Sequence, residues 1–384
     1  MKEMPGLGIL KKIKRDRIRE ATNRRGWESM KKILVMESDD WGSIRTPSKE
    51  VLQKLTDLGD PAGTDPFTRW DALESEKDIQ CLMDLMTEFS DRRGHPAVMT
   101  MNVAVANPDF EKIEANGFKD YYYESFPETY RRYPEHEGSF LRWKEGVKKG
   151  VFYPQLHCRE HINVHRWMND LSNGKEDVRL AFDHRMISVG ASVTPTNRYA
   201  YMDSFNYDSK EELASLKMIV EEGAKLFQEI FGYPSRSLIP SCYIWDEELE
   251  RIFYDTGIEY IQGGRIQLKP GRRVGTGGLH RQVHHMGEKN DLGQYYLIRN
   301  CKFEPSWRED IDWVESCLSD MESAFHWKRP AIIGTHRLNY IGFIDERNRK
   351  RNLEFLHQLI SRAMKKWPDL EFYHSVELGG EMKG

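Results

Sequence analysis

From residue 31 onward, short apolar runs rich in β-branched residues alternate with longer amphipathic stretches. Residues 32–36, 97–103, 152–157, 237–243, 258–262, 295–298, 331–335 and 371–374 have the length and near-continuous apolarity of strands buried on both faces. Between them, residues 48–58, 75–90, 209–231, 246–256, 309–327 and 346–367 carry the 3.6-residue periodicity of helices with one apolar face. Asp208 or Ser209 ahead of Glu211-Glu212, with Gly232 beyond the last turn, forms a cap pair for the longest of the middle helices. Strand–helix alternation on this scale predicts a parallel sheet with crossover helices, and about eight strands favour closing it. The expected fold is therefore α/β, a distorted (β/α)7–8 TIM-like barrel spanning residues 31–384, preceded by a basic helical arm over residues 1–30.

Two stretches interrupt the alternation and read as long loop insertions, at about 104–150 and 265–294. The first carries Tyr121-Tyr122-Tyr123, Tyr130 and Tyr133, read either as a local packed cluster or as stacking surfaces for sugar rings. The second holds His280, His284 and His285, read as surface or structural residues, with a lid over the barrel mouth as the alternative.

Composition narrows the class. The 384 residues include 57 Lys+Arg against 61 Asp+Glu, a net charge of −4, which removes any global electrostatic case for nucleic acid. A basic run at residues 11–25 suits a solvated helical face. Aromatics at 11% supply the burial that disordered chains lack. The five cysteines are widely spaced without a Cys-x-x-Cys pair, and no apolar stretch approaches the length of a membrane span or a signal-peptide core, so a reducing, cytoplasmic setting is expected.

Three of the apolar runs end in the same way, with ionisable residues just past the carboxyl end of a strand. The first leads into Glu37-Ser38-Asp39-Asp40-Trp41-Gly42, where two adjacent carboxylates at the end of a buried strand require a compensating cation, such as a metal ion. The second leads into His157-Cys158-Arg159-Glu160-His161, and a helix starting at His157 would place the two imidazoles four residues apart on one face, able to share one ion. His165, one turn further, is read as structural. The third, ending in Thr335-His336-Arg337, presents another histidine. In a parallel barrel these ends converge on one face, where a carboxylate and two imidazoles with open positions make a catalytic rather than structural metal site.

These motifs resemble those of the NodB-type polysaccharide deacetylases of the carbohydrate esterase 4 group. Asp39-Asp40 fall on that family's Asp-Asp-Gly, His157 and His161 on its His-Ser/Thr-x-x-His, residues 97–103 leading to Asn107-Pro108 on its second strand, and residues 371–375 on its closing strand. The resemblance implies Asp39 as catalytic base, His336 as general acid, and Asp40, His157 and His161 as ligands of a divalent ion. Zn²⁺ is expected first, and Co²⁺, Ni²⁺ or Mn²⁺ also suit these donors. It implies deacylation of an N-acetylated sugar or glycan, with Tyr243, Trp41 and Arg337 as substrate contacts and a backbone N–H near Tyr243 facing the oxyanion. Trp41 stands between Asp40 and Gly42, and Ile162 replaces the Pro usual after the second histidine. The family's Arg-Pro-Pro-Tyr appears as Ile239-Pro240-Ser241-Cys242-Tyr243, without the arginine that orients the base. Arg337 or Arg159 are the expected substitutes. Two other readings compete: a metal-retaining pseudoenzyme or glycan-binding protein, motivated by that absent arginine, and an inverted-motif zinc peptidase using His157-x-x-Glu160-His161.

Overall fold

The computed structural model describes residues 15–58, 65–189, 201–271 and 280–384. Nine strands build one wholly parallel sheet: β1 (Lys32–Trp41), β2 (Met99–Ala104), β3 (Phe152–Cys158), β4 (Ser237–Leu238), β5 (Tyr260–Gly263), β6 (Tyr295–Ile298), β7 (Cys301–Lys302), β8 (Ala331–His336) and β9 (Leu370–Tyr373). Each of the eight expected runs contains a strand, although in 237–243 only Ser237–Leu238 is one and Ser241–Tyr243 forms a 3-10 turn. The β1, β2 and β3 side chains are buried almost throughout, as a sheet covered on both faces requires. Crossover helices α1 (Glu76–Thr87), α2 (Ser139–Lys148), α3 (Lys210–Phe231), α4 (Glu247–Asp255), α5 (Trp313–His326) and α6 (Glu346–Lys366) connect most of them, and α7 (Ser375–Lys383) ends the chain. Ser209 caps α3 by accepting the Glu212 N–H, and Gly232 ends it in the left-handed region at φ 80°.

The strand order is β6-β5-β4-β3-β2-β1-β8-β7. Its two ends, β6 and β7, are separated only by Arg299 and Asn300, so they are halves of a single run. Its first half pairs with β5 and its second with β8. At the junction the Arg299 N–H donates to Gly263 O at 2.8 Å and the Asn300 N–H to Ile332 O at 3.2 Å. The ladder thus closes into a distorted barrel of seven strand positions. The ninth strand, β9, pairs with β1 over Lys32–Val35, just before β2 takes up pairing at Met36.

The two stretches expected as loops are more structured than their sequences suggest. Residues 104–150 hold a small antiparallel hairpin (Ala106–Pro108 with Tyr123–Ser125), two short helices and the crossover helix α2. Tyr130 and Trp143 from this stretch are buried in the main core. Residues 265–294 hold a second hairpin, Ile266–Leu268 with Arg281–Val283, while residues 272–279 lie outside the described residues. Residues 159–189 and 201–209 make a further excursion after β3, with helices Val164–Ser172 and Glu176–Asp183 packed around a separate apolar cluster that includes Trp167 and Phe182.

Of the N-terminal arm, residues 15–23 are helical and are held to α5 by Arg19 on Asp320 and by Asn23 on Ser323. Lys11, Lys12 and Lys14 fall outside the described residues. No helix among the described residues is long and apolar enough to cross a membrane.

The packing of α2 against β1 runs through Trp143, fully buried and edge-on to Trp41 at 5.7 Å between ring centroids. Trp143→Ala is expected to lower the unfolding free energy by about 3–5 kcal/mol, read from urea denaturation. A loss below about 1 kcal/mol would mean that this layer does not anchor the barrel.

Candidate metal and catalytic site

The site sits at the carboxyl end of β1. In a regular strand Asp39 and Asp40 would point to opposite faces. Here the pairing with β2 shifts register between Ser38 and Trp41, and Asp40 adopts φ 73°, a left-handed conformation that L residues avoid. This kink turns both carboxylates into one cleft of about 610 Å³ and sends Trp41 the other way. Trp41 is fully buried in the core, its indole N–H donating to Ser38 Oγ at 2.9 Å. It makes no substrate surface, which corrects the expectation from its place in the motif.

Asp40 Oδ1 lies 3.2 Å from His161 Nε2 and 3.5 Å from His157 Nε2, and one donor atom from each residue falls within 4.8 Å of the others. The two histidines are not on a helix as expected. β3 continues through Cys158, and the next helix begins only at Val164, so the turn over residues 159–162 brings His161 back beside His157. His157 Nδ1 is 2.7 Å from Ile239 O, which places the ring proton there and leaves Nε2 free to ligate. Burial lowers the His161 pKa to about 3, which keeps this imidazole in its neutral, ligating form. Burial alone would raise Asp40, but His161, Arg45 and His157 outweigh it and hold the group well below the usual carboxylate range. One carboxylate and two imidazoles, buried and convergent, suit a divalent ion such as Zn²⁺.

Asp39 faces the same cleft but is held from the other side. Arg299 grips it through both terminal nitrogens, at 2.6 Å to Oδ2 and 2.7 Å to Oδ1, while its Nε donates to Glu37 at 2.7 Å. Asn102 donates to Asp39 Oδ1 at 2.8 Å. Burial would raise the Asp39 pKa, yet Arg299 and His336 bring it down to about 2, so the group is a carboxylate at any working pH. The orienting cation is therefore neither Arg337 nor Arg159. Arg337 is fully buried behind the site, paired with Asp71 and Glu74 and donating to Ser43 O, and makes no substrate contact. Arg159 is spent on Glu160 and Glu222. Arg299 was nonetheless signalled, as the first polar residue after an apolar strand, the same grammar that marks Asp39 and His336.

His336 ends β8 with Nε2 3.9 Å from Asp39 Oδ2. Its Nδ1 lies 2.5 Å from Glu304 Oε1, and its ring stacks on Trp307 and meets Phe67 edge-on. Burial would depress its pKa, but Glu304 outweighs that and raises it to about 9, so His336 is protonated at neutral pH. Tyr243 lines the cleft at a backbone with two successive left-handed residues, Cys242 at φ 55° and Tyr243 at φ 56°. The Tyr243 N–H donates to Pro240 O at 3.1 Å, so it does not face an oxyanion. The walls are completed by Ile239 and by Phe67, Ile187, Met202 and Trp307, the last four from segments without a motif.

Other candidates lie elsewhere. His165 is 61% exposed beside Glu212. Glu160 is buried, bound by Arg159, and does not line the cleft. None of Tyr121, Tyr122, Tyr123, Tyr130 and Tyr133 lines it either. Tyr121 packs edge-on to Trp167, and Tyr130 hydrogen-bonds Glu74. His284 is buried against Trp245 and Tyr296 with Gln267 as its partner, and neither His280 nor His285 lines the cleft, so the described part of that stretch forms no lid.

No protein-family model matches the chain, and no curated protein matches it. Among solved structures it is similar to a putative polysaccharide deacetylase from Mycobacterium smegmatis, at 10% identity over 94% of this chain and 93% of that one, with a TM-score of 0.41. It is also similar to BA3943, a CE4 family pseudoenzyme from Bacillus anthracis, at 9% identity over 91% and 66%, with a TM-score of 0.37. A third similarity is to 4-alpha-glucanotransferase from Thermococcus litoralis, at 9% identity, 91% coverage of this chain and a TM-score of 0.42, of which this chain spans only 40% of the length. What this chain does is accordingly inferred from its own residues.

Removing the guanidinium would leave Glu37 and Asp39 buried and adjacent without a counter-charge. Arg299→Met is expected to cost about 3–5 kcal/mol of stability, with part regained in the Glu37→Gln/Arg299→Met double variant. Equal stability of Arg299→Met and wild type in denaturant titration would remove this role.

Proposed function

We propose that the protein is a metal-dependent hydrolase that removes an acetyl or related acyl group from the nitrogen of an N-acylated sugar. The observation that carries this reading is the arrangement of three groups around one cleft: a candidate cation-binding trio, a carboxylate held in its ionised form by Arg299, and an imidazole that holds its proton at neutral pH. Asp40, His157 and His161 would hold the ion. Bound there, it would supply Lewis acidity, polarising an acyl oxygen and making water more acidic.

The protein's own groups supply the proton transfers. Asp39, fixed at both oxygens by Arg299, accepts a proton from the attacking water. His336 gives the proton on Nε2 to the departing nitrogen, and Glu304 on Nδ1 stabilises the cationic ring until it does so. An amine leaves poorly unless protonated, so an acid with its pKa near 9 suits an amide better than an ester. The sugar enters this reading through the motif resemblance, and the aromatic walls of the cleft are compatible with a sugar ring.

The pseudoenzyme reading was motivated by a missing arginine, and Arg299 now makes the contact it was expected to lack. In the peptidase reading Glu160 would have to reach the substrate, whereas Arg159 holds it away from the cleft.

His336→Ala is expected to slow release of acetate from an amide by roughly 10²–10⁴-fold and to slow hydrolysis of an activated acetate ester far less, since a good leaving group needs no acid. Equal losses on both substrates would remove the acid role. With the His336 pKa raised to about 9, kcat on the amide is expected to fall as pH rises through that value and the imidazolium is lost. A rate still rising at pH 10 would contradict the assignment.

A further inference from the structure

Among the described residues that line the cleft, every cationic side chain except one has a carboxylate partner. Arg299 is shared between Glu37 and Asp39, and Arg45 between Asp40 and Asp71. His336 pairs with Glu304, whose second oxygen accepts from Asn339 at 2.7 Å. Asp65 accepts the N–H and hydroxyl of Thr68, both at 2.8 Å, at the start of a short helix. Lys302 alone makes no ion pair with any described carboxylate. It is exposed, at the end of β7, two residues before Glu304, with its ammonium 3.9 Å from the centre of the Trp307 ring.

That placement is specific. A flexible surface lysine samples many rotamers, whereas this ammonium is held against an indole whose own position is fixed by stacking on His336. The cation and His336 therefore contact the same indole, and all three line the cleft. Nearby carboxylates that would otherwise neutralise it are already engaged. A divalent ion on Asp40, His157 and His161 would add further positive charge to the same space.

Resting on the deacylase reading, we propose that the substrate is an acidic sugar whose carboxylate or phosphate is met by Lys302. The residue would act as a specificity determinant, favouring anionic over neutral N-acyl sugars by a charge-assisted hydrogen bond. It makes no bond to the reacting atoms.

The test is calorimetric binding to the full-length, zinc-loaded protein carrying Asp39→Asn to halt turnover. N-acetylglucosamine, N-acetylglucosamine 6-phosphate and N-acetylmuramic acid serve as neutral, phosphate and carboxylate probes. At least one acidic sugar is expected to bind about tenfold or more tightly than the neutral one. Adding Lys302→Met is expected to abolish that preference and Lys302→Arg to preserve it, and the tighter acidic probe identifies the anion. Equal affinity for all three sugars, a preference that survives Lys302→Met, or no binding of either acidic sugar overturns the proposal. Acetate release by the wild type separates the two claims. A Lys302-dependent preference without acetate release removes the deacylase and leaves the anion site, and acetate release without the preference does the reverse.

Discussion

One buried guanidinium ties the barrel to its chemistry. Arg299 lies in the two-residue joint between the strand halves that close the ring, and from there it reaches across to Glu37 and Asp39 on β1. A cation and two carboxylates in a low-dielectric interior are tolerable only together, since each alone would carry a desolvation cost of several kcal/mol. The pairing therefore does two things at once. It fixes the register of the closing segment against the first strand, and it holds Asp39 ionised and immobile beside the cleft.

The rest of the site extends the same principle outward. Asp40 is balanced by Arg45, Arg45 by Asp71, and Asp71 and Glu74 by Arg337 behind them. Glu74 also accepts the Gly42 N–H at 3.0 Å, so the far end of this chain of charges supports the turn that re-aims Asp40. Arg337, expected at the substrate, instead supports the backbone that presents a ligand. The left-handed Asp40 conformation survives because these contacts over-determine it.

Much of this was legible in the sequence. Buried parallel strands announce themselves as apolar runs, and all eight were located, because burial on both faces leaves little room for polar residues. Asp39, Asp40, His157, His161 and His336 were legible for a related reason, since ionisable groups directly after such runs must gather where the strand ends do. What the sequence concealed depended on direction rather than position. Alternation does not reveal that a kink at Asp40 would send Trp41 into the core, or that Arg337 would turn backward. Residues 104–150 looked like a loop because their hairpin strands are three residues each and two of their helices have only six and seven residues, too brief for periodicity to register. Arg299 follows β6, Lys302 ends β7 and Glu304 lies two residues beyond it, at short segments where the pattern is weakest although the strand-end grammar still applied.

The central claim is that Asp40, His157 and His161 share one cation. Elemental analysis of the purified full-length protein after exposure to zinc and removal of excess metal tests it most directly. One equivalent per chain is expected in the wild type, with loss of that equivalent in a folded His157→Ala variant. A wild type that retains no metal, or a His157→Ala protein that retains as much, would contradict the account.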